Sequence, residues 1–118
     1  MTAPGSSNAP SAAASGANNA LIVALETPAE GCAGAGPFTV RVEVDPSADP
    51  SVYFEEIGVP EFPKGFPRVV VWPYGFEAAR VDGKVVISSS DGEIEVQEGD
   101  VISVSGQSDG DRFYICGF

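Results

Sequence analysis

The sequence predicts an all-β protein: a small antiparallel β-sandwich or barrel-like domain that carries an extended N-terminal arm. Two observations favour this fold. From residue 20 onward, about eight or nine short apolar or alternating segments recur at intervals of about 8 to 12 residues, as in small sandwiches and barrels. No stretch of about ten residues spaces its apolar side chains by three and four, which is the pattern of an amphipathic helix. We therefore expect almost no helix.

The arm is the low-complexity segment 1–20. It consists almost entirely of Ala, Ser, Asn, Gly and Pro, and the first charged side chain is Glu26. Such a segment buries too little apolar surface to offset the entropy lost on ordering, so we expect it to order only against a partner. The remaining residues, 21–118, are predicted to form a single domain.

A short apolar run joins the arm to this domain. It is long enough for one strand, and an extended strand can add to the exposed sheet edge of a neighbouring subunit. The residues predicted to make this contact are Ala20, Leu21, Ile22, Val23 and Leu25.

The clearest predicted strand is Phe38 to Asp45. Apolar and polar side chains alternate along it, so one face should lie in the core and the other in solvent. Two further strands are predicted at 52–57 and 68–72. The segment 58–67 between them contains three prolines, which cannot donate to a ladder, and it should be an extended surface loop.

Aromatic residues are concentrated between positions 53 and 76. We interpret some of them as a contact surface for a partner or ligand, because aromatic side chains bury a large area at low entropic cost. The alternative is that they fill the core. The candidate surface residues are Phe62, Phe66, Trp72, Tyr74 and Phe76.

From Phe76 to the end the chain is predicted to be a β-meander. Three Asp-Gly pairs, at 82–83, 91–92 and 109–110, predict type I′ turns. Segments 93–97 and 100–105 are predicted to form a hairpin around Glu98-Gly99. The last strand is predicted at 112–118.

Composition weighs against catalysis and against nucleic acid. The chain has no histidine, which removes the commonest general base and metal ligand. Its net charge of −11 would repel phosphates and anionic membrane surfaces. Asp109 and Asp111 could offer oxygen ligands to calcium, but an Asp-Gly turn accounts for them more simply. We expect no enzymatic activity and no cofactor.

Cys32 and Cys116 are the two cysteines. In a reducing compartment they would remain free thiols, and in an oxidising one they could form a disulfide, so both interpretations stay open. The first residues do not resemble a signal peptide, and no apolar run is long enough to span a membrane. We therefore expect synthesis in a cytoplasm.

The layout of residues 1–20 together with 38–118 resembles the capsid decoration (cement) proteins of tailed bacteriophages. Those proteins have a flexible N-terminal arm, which orders on the capsid lattice, and a compact β-rich domain that is often trimeric. The resemblance implies a virion location, capsid proteins as partners, and stabilisation of the shell at junctions between capsomers. From composition we add that the arm, with Phe62 and Phe66, would make the contacts.

Two other functions fit the same sequence. A carbohydrate-binding or adhesin module could stack sugar rings on Trp72, Tyr74 and Phe76, with acidic side chains binding the hydroxyl groups. A tail or connector protein of a virion could use the arm in the same way as a decoration protein.

Overall fold

A computed structural model of the chain describes residues 21–28, 32 and 34–118. The predicted arm, including Ala20, lies outside these residues. The described part contains strands and no helix, which confirms the all-β prediction. The strands are β1 (Val23–Ala24), β2 (Ala35–Val44), β3 (Val52–Glu56), β4 (Val69–Trp72), β5 (Glu77–Val81), β6 (Lys84–Ser88), β7 (Glu95–Gln97), β8 (Val101–Asp109) and β9 (Arg112–Gly117).

The strands form two sheets. One has six strands in the order β1-β4-β9-β8-β2-β3, and the other has three in the order β5-β6-β7. The larger sheet is mixed, because β4 pairs in parallel with both β1 and β9. The prediction of a wholly antiparallel domain is therefore wrong on this point. Parallel neighbours need a long crossover, and here the β2–β3 pair and the three-stranded sheet lie within the two crossovers.

The two edges of the larger sheet meet, which makes the domain barrel-like. The backbone N–H of Val52, at the start of β3, donates to the carbonyl of Leu21, just before β1, at 3.0 Å. On the inside, the rings of Phe54 and Trp72 lie 5.5 Å apart. The segment 21–25 therefore closes the sheet instead of leaving an open edge.

The Asp-Gly turns differ from one another. Asp82 and Gly83 both have positive φ, at 52° and 83°, as the predicted type I′ turn requires. At 91–92 and 109–110 only the glycine has positive φ, so the same prediction is wrong there. Asp91 instead accepts hydrogen bonds within its own turn, from the Ser89 hydroxyl at 2.6 Å and from the Glu93 N–H at 3.0 Å.

These hydrogen bonds should be visible in the titration of Asp91. They favour the charged carboxylate and hold the pKa of Asp91 below the usual 3.8. The bond from the Ser89 hydroxyl contributes more than the bond from the Glu93 N–H. The corresponding stabilisation is present above pH 3.8 and is lost as the pH falls through the lowered pKa. In an NMR titration of the carboxyl carbon, Ser89→Ala should move the midpoint up toward 3.8, while Ser90→Ala should not. A wild-type midpoint at or above 3.8 would contradict this account.

The prediction of a hairpin around Glu98-Gly99 is wrong. β7 pairs with β6 in the smaller sheet, whereas β8 pairs with β2 and β9 in the larger one. The turn carries the chain between the sheets, and Gly99 N–H donates to the Val42 carbonyl at 2.7 Å. Val96 and Val104 are nevertheless buried, as the alternation predicted. Alternation specifies which face of a strand is buried but not which strand lies beside it.

One hydrophobic core joins both sheets. Val85, Ile87 and Val96 from the smaller sheet belong to the same buried cluster as the side chains of the barrel. The largest side chains that are almost completely inaccessible are those of Trp72 and Phe113. The smaller sheet is therefore part of the domain's core, and not an appendage.

A disulfide joins Cys32 to Cys116, which are 84 positions apart in sequence and have their Cα atoms 5.6 Å apart. The sequence left both interpretations open, and the structure has the disulfide. The bond ties the segment that leaves β1 to the last strand, β9. It therefore closes a loop that contains almost the whole domain.

Candidate interaction surface

The proline-rich segment 58–67, the aromatic loop, covers one side of the barrel. Its two phenylalanines, Phe62 and Phe66, are half-buried and their rings lie 5.0 Å apart. Phe66 packs 4.7 Å from Phe113, and Phe62 packs 5.2 Å from Phe38. The aromatic cluster of the core therefore continues to the surface at this loop. Phe62 and Phe66 both contact core rings while part of each side chain stays accessible to solvent.

Glu56, the last residue of β3, holds the aromatic loop in place. Its carboxylate accepts hydrogen bonds from the backbone N–H of Glu61 at 2.8 Å and of Phe62 at 3.3 Å. Gly65 N–H then donates to the Phe62 carbonyl at 3.0 Å, which turns the chain back toward the barrel. A loop without ladder bonds is therefore fixed at the position where its phenylalanines meet the core.

Shallow depressions lie along this loop. The one most relevant here, the Arg68 groove, has a volume of about 540 Å³. A second, of about 460 Å³, lies on the β3 side and shares Phe62, Phe66 and Arg68. The lining of the Arg68 groove includes Phe62, Pro63, Phe66, Arg68, Ser108 and Asp111. The lining combines two apolar rings and two prolines with three charged residues, Lys64, Arg68 and Asp111.

Arg68 lies where the aromatic loop enters β4. Its Nη2 donates to the Pro50 carbonyl at 3.1 Å, and its guanidinium carbon lies 4.7 Å from the centre of the Tyr53 ring. Its Nη1 is buried and has no hydrogen-bond partner among the described residues. A buried guanidinium N–H without an acceptor is costly, and because this nitrogen is buried it is closed to a ligand in the groove.

Two of the five candidate surface residues are core residues. Trp72 is 0% exposed and Phe76 is 6% exposed, and their rings lie 5.8 Å apart. The prediction that they form a surface with Tyr74 is wrong, because their side chains fill the barrel. Tyr74 alone of the three is exposed, at 53%. A sugar-stacking platform of these three residues therefore does not exist in this fold.

The residues predicted to bind a neighbouring subunit are used within the chain. Ile22 is buried, Val23 pairs with Val71 in β4, and Leu25 N–H donates to the Trp72 carbonyl at 2.9 Å. Leu21 closes the barrel as described above. Within this chain, segment 21–25 therefore lies along β4 of its own domain, with Val23 and Ala24 forming β1.

Arg68 was not among the predicted site residues, and Phe118, predicted to end the last strand, lies just after β9. Arg68 could have been found as a single cation between a proline-rich loop and a continuous apolar strand. Phe118 stacks on Trp72 and Phe76, at 6.1 and 5.6 Å, while 46% of it stays exposed. Nothing in the local pattern distinguishes such a partly exposed terminal aromatic from a buried one.

Neither a metal-ligand cluster nor a membrane-spanning helix is found among the described residues. Within 21–28, 32 and 34–118, no three His, Cys, Asp or Glu side chains gather closely enough to hold a metal ion. In the same residues there is no helix with the length and hydropathy needed to cross a membrane. The chemistry that this surface supports is the binding of apolar and hydrogen-bonding groups.

No protein-family model matches this chain, and no curated protein or solved structure is significantly similar to it. Its function has therefore to be inferred from its own residues and their geometry.

Proposed function

We propose that this chain is a non-enzymatic structural protein of a tailed-bacteriophage virion. It decorates the outer surface of the capsid and stabilises the shell, with residues 1–20 bound across neighbouring capsid proteins and the β-domain above them. The observation that supports this proposal is the way in which segment 21–25 is built into the barrel.

This attachment gives the arm a firm anchor. Ile22 is 4% exposed, and backbone hydrogen bonds fix both Leu21 and Leu25. A segment of about twenty residues without charged side chains then leaves the domain from a defined point, and it can reach at most about 70 Å when fully extended. That span is large enough to bridge adjacent subunits. Because segment 21–25 is hydrogen-bonded into the barrel, a pulling force on the arm would be transmitted to the sheet.

The domain surface is consistent with protein partners. Phe62 and Phe66 are partly exposed beside the aromatic loop, and they are candidates for contact with the shell or with another copy. We propose a homotrimer, as in the decoration proteins that the layout resembles. The net charge of −11 supports a position away from nucleic acid, on the outside of the shell.

The proposal predicts that a particle protects the arm from proteolysis. Elastase cleaves after small residues such as the alanines of 1–20, and mass spectrometry locates the cuts. We expect complete cleavage of the arm in the isolated protein under conditions in which the arm on tailed particles stays intact. The folded domain is the internal control: its mass should show no further cleavage after the arm has been removed. Equal cleavage in both samples would contradict the proposal, because the arm would then be a mere linker.

A tail or connector protein is the alternative that the same anchored arm supports. The two functions differ in stoichiometry and place: a decoration protein covers the head lattice in many copies, while a connector or tail protein forms one ring or tube. The carbohydrate-binding alternative loses Trp72 and Phe76, two of the three side chains on which it depended.

A further inference from the structure

We infer that the Arg68 groove is a docking site for residues 1–20 of the same chain. In the unassembled protein the arm would lie as an extended segment against Phe62, Pro63 and Phe66. This inference concerns the isolated protein and does not depend on the proposed place in a virion.

The first reason is where the arm begins. β1 runs parallel to β4, and Val23 lies opposite Val71, two residues after Val69 at the start of β4. Val69 directly follows Arg68, which lines the groove. Arg68 also donates to the carbonyl of Pro50, two residues before the residue whose N–H binds Leu21. The arm therefore leaves the barrel beside the groove.

The second reason is chemical fit. The groove offers partly exposed phenylalanine rings and prolines. An extended segment with alanines and prolines presents small apolar groups and regularly spaced free carbonyls, as proline-rich ligands do in aromatic grooves. The arm has no charged side chain, so the charged lining residues Lys64, Arg68 and Asp111 would not repel it.

The third reason is tethering. A segment attached beside its own site has an effective concentration in the millimolar range, so an affinity too weak for a free peptide still gives substantial occupancy. The arm would exchange readily between a docked and an undocked state, and a partner that binds the groove more strongly could displace it. Docking of this kind would slow elastase without preventing cleavage, because the undocked fraction remains accessible.

The primary test is NMR on the full-length wild-type protein, mixed from equal parts of ¹³C-labelled and unlabelled chains. We expect nuclear Overhauser effects between the alanine methyls of 1–20 and the rings of Phe62 and Phe66, within labelled molecules and unchanged on tenfold dilution. Their absence would overturn the inference. Effects only between labelled and unlabelled molecules would overturn it in favour of a second copy as the source of the arm.

A pair of variants gives an independent readout. Phe62→Ser removes a ring from the groove and should speed elastase cleavage of the arm by about three- to tenfold, as the docked fraction falls. Val59→Ser changes the same loop at a side chain that is 88% exposed and lies outside the groove, and it should leave the rate unchanged. Equal rates for both variants and the wild type would overturn the inference. Should Phe62→Ser fail to fold, the wild-type NMR experiment decides.

Discussion

Replacement of Cys32 by Ser should lower the free energy of unfolding by about 4 kcal/mol. The Cys32–Cys116 bond closes a loop with a sequence separation of 84, and in the chain-entropy account a loop of that length restricts the unfolded ensemble by about this amount. The Cα atoms lie 5.6 Å apart, within the ordinary range for a disulfide, so the folded barrel accommodates the bond without a shift of the backbone. Urea unfolding monitored by tryptophan fluorescence measures the change.

The controls for this prediction use the same bond. Cys116→Ser and the double substitution should cost as much as Cys32→Ser, because each removes one and the same cross-link. Unfolding of the wild-type protein under reducing conditions should show a similar loss. A change below about 1 kcal/mol for Cys32→Ser would mean that the disulfide contributes little to stability, contrary to the entropic account.

Trp72→Ala should destabilise the domain by about 3 to 5 kcal/mol, as large-to-small substitutions of buried aromatic residues do. The indole is fully buried between the rings of Phe54, at 5.5 Å, and Phe76, at 5.8 Å, and its loss leaves a cavity where the two sheets share their core. The loss is expected even though Trp72 Nε1 has no hydrogen-bond partner among the described residues, because packing dominates. Urea unfolding followed by circular dichroism avoids dependence on the tryptophan.

Tyr74→Ala is the matched control, two positions along the chain. The side chain of Tyr74 is 53% exposed, so its removal should change the free energy of unfolding by no more than about 0.5 kcal/mol. A similar cost for the two substitutions would contradict the burial that separates them. A folded and equally stable Trp72→Ala protein would contradict the assignment of Trp72 to the core.

The alternating patterns predicted much of this fold, because the period of two is a local property of the strand. Residues 38–45 show this most clearly: Val40 and Val42 are completely buried. Pairing is a different matter. Neither the parallel contacts of β4 nor the separation of β7 from β8 follows from alternation, since strand partners are set by tertiary packing.

The candidate surface was predicted less well than the fold, for a related reason. An aromatic residue is equally suited to a core and to an interface, and the local sequence around Trp72 and Phe76 does not distinguish the two. Phe62 and Phe66 proved half-buried, because their loop is fixed by Glu56 through backbone hydrogen bonds to Glu61 and Phe62. Hydrogen bonds of this kind, between a strand residue and a loop backbone, cannot be predicted from the spacing of residues in the sequence. Segment 21–25 was correctly expected to be extended, but its nearest free edge belongs to its own sheet.

Immunogold electron microscopy of tailed particles that carry this chain tests the proposed function most directly. An antibody raised against the folded domain, with antibody preabsorbed on the purified protein as the control, would report where the chain lies. The account predicts many gold particles distributed over the whole head surface. Label confined to the tail or to the single vertex where head and tail meet would contradict decoration and favour the connector or tail alternative, and unlabelled particles would contradict a virion role altogether.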